Sequence, residues 1–131
     1  MRLAASAYSS GAVLVDHFAT TTEASARAVA AADDRSCVRT QGHVITVEDL
    51  TSTLVVEATT HLLDLTVDLA GAPEPPAAAL VEARRVLAAL HGSPLPSSGN
   101  DTEAVLKGTG RRPLTDPERA ELGADWRPLL G

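Results

Sequence analysis

The stretch VVEATTHLLDLTVDL, Val55 to Leu69, says more about the fold of this chain than any other part of its sequence. On a helix of 3.6 residues per turn, its four ionisable residues lie at i, i+4, i+7 and i+11 and share a stripe about 60° wide. Apolar residues flank the stripe on both sides, and Ser52, Thr59 and Thr66 project opposite to it. The pattern predicts a helix whose Ser/Thr face is in water and whose ionisable stripe faces inward. The members of the stripe are Glu57, His61, Asp64 and Asp68.

The ends of this helix are also marked in the sequence. Thr46, followed three residues later by Asp49, resembles a capping box and predicts the start. Gly71 is a natural C-terminal stop and the prolines from Pro73 onward forbid continuation, so the helix is predicted over 46–70. No Lys or Arg lies in that range. Because a buried carboxylate must be paired, protonated or bound to a cation, a divalent metal is the predicted counter-charge.

Glu57 and His61 are the predicted metal ligands, because side chains at i and i+4 can reach one ion. A catalytic zinc site usually has three protein ligands and an open position, so a third donor must come from elsewhere. His17, His43 and His91 are candidates by residue type, and the alternative for each is a surface, turn or helix-terminal histidine. The alternative for the whole stripe is an ordinary exposed acidic face that binds no metal.

The rest of the chain is predicted to be helical as well. Apolar spacing predicts helices over 11–32 and 76–91, followed by a loop-rich tail, 92–131, with short helices. Thr115 and Glu118 form a second capping box, which opens the last short helix. The 131 residues are enough for one hydrophobic core, and with 2% aromatic residues that core must be built from Ala, Val and Leu. The predicted class is all-α, in a single domain.

Two glycine-containing turns are predicted between these helices. Gly42-His43 leads into a short extended segment before residue 46. GTGRR, Gly108 to Arg112, invites a phosphate-binding interpretation, because glycines and paired arginines can cradle an anion. It lacks the Lys-Ser/Thr ending of a P-loop and no strand precedes it. The favoured interpretation is therefore a glycine helix C-cap followed by a basic turn.

Composition argues against several kinds of partner. The net charge is −6 and the basic residues are scattered, which argues against binding to nucleic acid. No segment approaches the roughly 20 apolar residues of a membrane span, and the N-terminal residues lack the apolar core of a signal peptide. Cys37 is the one cysteine, so an internal disulfide is impossible and a reducing compartment fits. We expect a cytoplasmic protein with no membrane or nucleic-acid partner.

Three segments resemble a known family. VVEATTHLLDL, from Val55, resembles the metal-binding helix of the mycothiol-dependent maleylpyruvate isomerase family, a branch of the DinB-like superfamily, in which Glu-x-x-x-His is followed by Leu-Asp-Leu. VRTQGHVITVEDL, from Val38, resembles the extended loop before that helix. LKGTGRRPLTDPERAELG, from Leu106, resembles the tail of the family's shorter members. The resemblance covers nearly the whole chain.

This resemblance implies a four-helix bundle that binds a divalent metal, usually zinc, through two His and one Glu. It also implies mycothiol or another low-molecular-weight thiol as cosubstrate. Glu57 and His61 match the Glu and one His, and Asp64 would orient a ligand without binding the metal itself. The implied activity is isomerisation or transfer, in which a thiolate formed at the metal adds to an electrophilic carbon or an activated double bond.

The family's other histidine has no counterpart here. In the family it follows a Trp-Thr stretch on the second bundle helix, whereas this chain matches the family from the third helix onward. The inward face of 46–70 would then lack its covering helices. We expect self-association into a homodimer, although a partner chain that supplies the missing pair or a fold-back of 76–91 would also cover that face.

Two functions therefore remain open. One is a metal-dependent and thiol-dependent isomerase or transferase of the maleylpyruvate isomerase kind. The other is a truncated, non-catalytic relative that acts as a small helical interaction or dimerisation domain. The presence of a complete metal site distinguishes them.

Overall fold

The chain is mostly helical, as the sequence predicts, with one small hairpin. The computed structural model describes residues 8–33, 35–67, 69–96 and 99–129. In chain order the elements within these ranges are α1 (Gly11–Ala31), β1 (Cys37–Thr40), β2 (His43–Thr46), α2 (Val47–Thr66), α3 (Ala77–His91), α4 (Asp101–Gly108) and α5 (Asp116–Leu122). None of the helices in the described ranges is both long and apolar enough to cross a membrane.

The chain divides into two compact units, Met1–Asp49 and Leu50–Gly131, and the division falls in the first turn of α2. The residues of the main hydrophobic core cluster all belong to the second unit. The prediction of one domain over 1–131 stays a prediction.

In the first unit, Ser10 caps α1, because its hydroxyl oxygen accepts a hydrogen bond from the backbone N–H of Val13. Its bounds match the predicted 11–32 to within one residue at the C-terminal end. Every residue of α1 is exposed, including the large apolar side chain of Phe18. The apolar spacing therefore predicted the helix correctly, although none of those apolar side chains is buried.

The hairpin pairs β1 and β2 antiparallel, with Cys37 opposite Thr46. Its two-residue turn, Gln41-Gly42, has φ of 47° and 86°, and two successive positive φ values suit the right-handed twist of a tight hairpin. The predicted extended segment before residue 46 is thus β2, but β1 departs from the all-α prediction. A strand of four residues is too short to show a period of two in the sequence.

In the second unit, α2, α3 and α4 are joined by apolar contact and by polar links. The hydroxyl of Ser52 donates to Glu82 Oε1 at 2.6 Å and ties α2 to α3. Arg84 Nη1 donates to Asp101 Oδ1 at 2.7 Å and ties α3 to α4. The core is formed by Val56, Leu63, Leu80, Ala83, Leu87, Leu95, Ala104, Val105 and Leu106.

The face of α2 that enters this core is the one assigned to water in the sequence analysis. Thr59 and Thr60 are buried, as is Val56 beside them. The Thr60 hydroxyl donates to the carbonyl of Val56 at 2.9 Å, so the side chain is buried without an unsatisfied donor. The prediction that Ser52, Thr59 and Thr66 face water is wrong, since Thr59 is buried and the other two are half-buried. The Thr66 hydroxyl also donates to a carbonyl of its own helix, at 2.7 Å, and so needs no water.

The start of α2 lies where the sequence predicts it, and its last residue does not. The backbone N–H of Asp49 donates to Thr46 Oγ1 at 3.0 Å, which confirms the predicted start at Thr46. At the other end the helix stops at Thr66 instead of Ala70. Beyond it the chain turns through Gly71, whose φ of 75° is the left-handed conformation that favours glycine.

The tail confirms both of its predicted caps. Gly110 has φ of 78°, and the N–H groups of Arg111 and Arg112 both donate to the carbonyl of Leu106, at 2.8 and 3.1 Å. GTGRR is therefore a helix C-cap followed by a basic turn. The capping box of Thr115, which opens α5, is complete.

A buried ion pair joins α4 to α5. Lys107 Nζ lies 2.7 Å from Glu118 Oε1, and the two side chains are 8% and 1% exposed. The other carboxylate oxygen of Glu118 accepts from the N–H and the hydroxyl of Thr115, each at 2.8 Å. Because both oxygens are hydrogen-bonded, the buried charge is compensated. The sequence marked Glu118 as a capping residue and missed its pairing with Lys107.

Candidate functional site

The ionisable stripe of α2 lies at the surface. The side chains of Glu57 and His61 are 53% and 68% exposed, and that of Asp64 is 40% exposed. The fourth member, Asp68, lies outside the described residues. The prediction that the stripe faces inward is therefore wrong. Because water solvates these exposed groups, they do not require the counter-charge that burial would have required.

Glu57 and His61 nevertheless lie side by side as their spacing predicts. Glu57 Oε2 is 3.4 Å from His61 Nε2. A carboxylate oxygen and an imidazole nitrogen are both ordinary zinc ligands, so the pair suits two positions of one coordination sphere. Within the described part of the chain, no group of three or more His, Cys, Asp or Glu side chains is placed to hold a metal. These residues fit two of the three ligands that a zinc site takes, and the third is not among their neighbours in the described ranges.

Asp64 has a basic partner that the sequence does not predict. Arg111 Nε donates to Asp64 Oδ1 at 2.5 Å, and Nη2 donates to Oδ2 at 2.8 Å, so the contact is bidentate. The hydrogen bonds from Arg111 are the main reason that the pKa of Asp64 lies below its usual value, and burial opposes that shift only in part. The same contact raises the pKa of Arg111. A guanidinium from the tail thus supplies the counter-charge that α2 itself lacks.

The proposed orienting role of Asp64 is not matched by a hydrogen bond in this structure. His61 Nδ1 lies 4.0 Å from Asp64 Oδ2, which is too far for one. Both oxygens of Asp64 are engaged by Arg111, so any role toward a metal ligand would have to compete with that guanidinium. The role stays a prediction.

Exposed apolar side chains of α2 border the same stripe. Leu54 and Leu65, one turn before Glu57 and one turn after His61, are both exposed. Single exposed leucines are ordinary, but two beside one polar stripe make a short apolar strip that a partner can cover. α3 contacts the opposite side of α2, so a fold-back of 76–91 over the stripe is not what the structure has.

The three other histidines differ in their surroundings. His17 belongs to α1, where Nε2 is 3.5 Å from Thr21 Oγ1 and the ring lies 5.4 Å from that of Tyr8. Its place as third ligand stays a prediction. His43 is the exposed first residue of β2.

His91, the last residue of α3, uses both ring nitrogens within the protein. Nδ1 lies 2.8 Å from Ser93 Oγ and Nε2 lies 2.9 Å from the carbonyl oxygen of Arg127. Its ring also stacks on Trp126 with centroids 4.9 Å apart. The sequence placed His91 at the end of a helix correctly but missed that it anchors the tail, and these contacts leave no ring nitrogen for a metal.

A scan against protein-family models finds no match, and searches of curated proteins and of solved structures find no similar chain either. The likeness to the maleylpyruvate isomerase family therefore depends on the motif residues of α2, of the loop before it and of the tail.

Proposed function

We propose that this chain binds a divalent metal, zinc in the first instance, through Glu57 and His61 of α2. The observation that carries the proposal is their geometry, a carboxylate oxygen and an imidazole nitrogen 3.4 Å apart on one exposed helix face. We further propose that donors other than these two side chains complete the coordination sphere of the ion. The activity that the resemblance adds is thiol-dependent isomerisation or transfer, in a helical bundle of the DinB-like kind.

The position of the pair at the surface supports a metal held at an interface. Both donors are open to a second set of ligands, and the exposed Leu54 and Leu65 beside them would be buried by whatever brings those ligands. A second copy of the chain is the simplest source. Two α2 helices related by a twofold axis would present two carboxylates and two imidazoles to one ion.

The residues of this chain have separate tasks in the proposed site. Glu57 and His61 hold the ion. Arg111 neutralises Asp64, which lowers the negative charge that accumulates along the stripe and fixes the tail against α2. When bound, a metal of this kind lowers the pKa of a coordinated thiol, so that the thiolate is available near neutral pH.

Metal content after purification from zinc-supplemented medium tests the proposal. We expect bound zinc in the wild-type chain and its loss in Glu57→Ala and in His61→Ala, because each variant removes one ligand. Matched controls are Glu48→Ala, an exposed glutamate on the same helix, and His43→Ala, an exposed histidine outside it. Both controls should keep the metal. A wild-type chain that takes up no zinc would contradict the proposal.

A second candidate function is the small interaction or dimerisation domain, and the exposed apolar strip favours it. A zinc ion held by four protein ligands is closed and structural, whereas an ion with three keeps a position for a thiol. The ratio of zinc to chain separates the two. One zinc per two chains in a zinc-dependent dimer, with no thiol binding, supports the domain. One zinc per chain that also binds a low-molecular-weight thiol supports the enzyme.

A further inference from the structure

A cavity of about 310 Å³ lies in the tail, within the second unit and outside the candidate metal site. The turn after α4, helix α5 and the segment that follows α5 form its walls. Its volume is at the lower end of the range for small-molecule sites. Leu114 and Trp126 are among its apolar lining residues, so most of a small organic ligand would meet apolar surface.

The described charged residues that line this cavity are all basic. Basic side chains contribute to the wall and, among the residues that line it, no Asp or Glu does. Three of the four basic residues are already paired with carboxylates that lie outside the lining. These pairs are Lys107 with Glu118, Arg112 with Glu103, and Arg119 with Asp116.

Arg127 is the fourth basic residue, and its charge is not compensated by a carboxylate in the described part of the chain. Its Nη1 donates to the carbonyl oxygens of Ala124 and Trp126, at 2.6 and 2.8 Å. Arg127 is one of the residues that line the cavity, and these bonds fix one end of its guanidinium. The edge formed by Nε and Nη2 has no acceptor among the described residues. That edge has the fork geometry that binds a planar carboxylate through two parallel hydrogen bonds.

The aromatic wall of the cavity is held in place from behind. Trp126 stacks on His91, and His91 in turn hydrogen-bonds to the backbone carbonyl oxygen of Arg127. His91 therefore fixes both the indole and the backbone that carries the guanidinium. Among the described residues, the indole N–H of Trp126 is buried and has no acceptor.

We propose that this cavity binds a small organic carboxylate with an apolar body. The carboxylate lies on the free edge of Arg127, and the apolar body lies between Leu114 and Trp126. A single uncompensated guanidinium matches a monoanion. A phosphate dianion would need further unpaired cations, which the described lining does not offer. The cavity is lined by neither Glu57 nor His61, so the carboxylate proposal can be tested separately from the metal proposal.

Trp126 provides the measurement, because it is the one tryptophan of the chain. We expect its fluorescence to change saturably on titration with cyclohexanecarboxylate, a probe that does not absorb where indole emits. Cyclohexanecarboxamide, which has the same shape without the charge, should bind at least about tenfold more weakly, because it lacks the charge-assisted hydrogen bonds. Calorimetry on the same samples checks that the optical change reports binding.

Variants of Arg127 test the assigned residue. Arg127→Gln should weaken binding of the carboxylate at least about tenfold. Arg127→Lys keeps the charge but loses the planar fork, so its affinity should lie between those of Arg127→Gln and the wild type. The matched control is Arg27→Gln, an exposed arginine of α1 in the first unit. Circular dichroism confirms that each variant is folded. Equal affinity for acid and amide, unchanged binding in Arg127→Gln, tighter binding of inorganic phosphate, or no saturable binding at all would each overturn the proposal.

Discussion

Replacing Arg111 by Gln is expected to destabilise the chain by removing its bidentate contact with Asp64. The two hydrogen bonds are short, 2.5 and 2.8 Å, which is the geometry of a strong charge-assisted pair. The side chains are 25% and 40% exposed, so water screens much of the attraction. Exposed ion pairs contribute about 0–1 kcal/mol and charged hydrogen bonds about 1.5–3 kcal/mol. A coupling energy of about 1 kcal/mol is therefore expected.

The assay is a double-mutant cycle of Arg111→Gln, Asp64→Asn and the double variant. Each free energy of unfolding comes from urea denaturation followed by circular dichroism in low salt. Because the pair is partly exposed, about 1 M salt should reduce the coupling without abolishing it. A coupling energy indistinguishable from zero in low salt would refute the reasoning, since the contact would then exist without stabilising the fold.

The pH dependence of this pair has a definite sign. Arg111 lowers the pKa of Asp64 in the folded state, so the folded chain holds that carboxylate charged more readily than the unfolded chain does. The stabilisation is fully present above the unfolded pKa of about 3.9 and is lost as the pH falls through the lower folded pKa. The stability gap between the wild type and Asp64→Asn should therefore narrow below about pH 4. A gap that widens in acid would contradict the assignment.

Further outcomes follow from the packing of the second unit. Leu87→Ala, at a fully buried core position, should lower the free energy of unfolding by about 2–5 kcal/mol, whereas Leu90→Ala, at an exposed position on the same helix, should change it by less than about 0.5 kcal/mol in urea denaturation. Glu82 has a pKa lowered to about 2, chiefly by hydrogen bonds from Arg85 and then from Ser52, so the advantage of the wild type over Glu82→Gln should be complete above about pH 4.5 and should disappear toward pH 2. Lys107→Met should cost about 3–5 kcal/mol because it leaves Glu118 buried and unpaired, and adding Glu118→Leu should recover most of that loss in thermal unfolding.

The helices could be predicted from the sequence because their signals are local. The capping residues Thr46 and Thr115, and the glycine turn within GTGRR, act over three to six residues and are found where predicted. The buried face of α2 could not be predicted in the same way. Threonine is neutral in a periodicity argument, and only the tertiary packing around this face decides that Thr59 is buried.

The polar contacts of the tail join residues that are far apart in sequence. Asp64 and Arg111 are 47 positions apart, and the contact between His91 and Arg127 spans 36. Pairings over such distances depend on how the helices pack, and no local pattern encodes them. The spacing of Glu57 and His61 did place two donors together, because i and i+4 neighbours meet on any helix. It carried no information about a third ligand.

Titration calorimetry of the metal-free chain with zinc tests the central claim most directly. The account predicts saturable binding by the wild type, with a stoichiometry of one zinc per chain or one per two chains. It also predicts loss of that binding in the double variant Glu57→Ala, His61→Ala, while Glu48→Ala with His43→Ala binds as the wild type does. Zinc binding that is absent from the wild type, or that persists unchanged without Glu57 and His61, would contradict it.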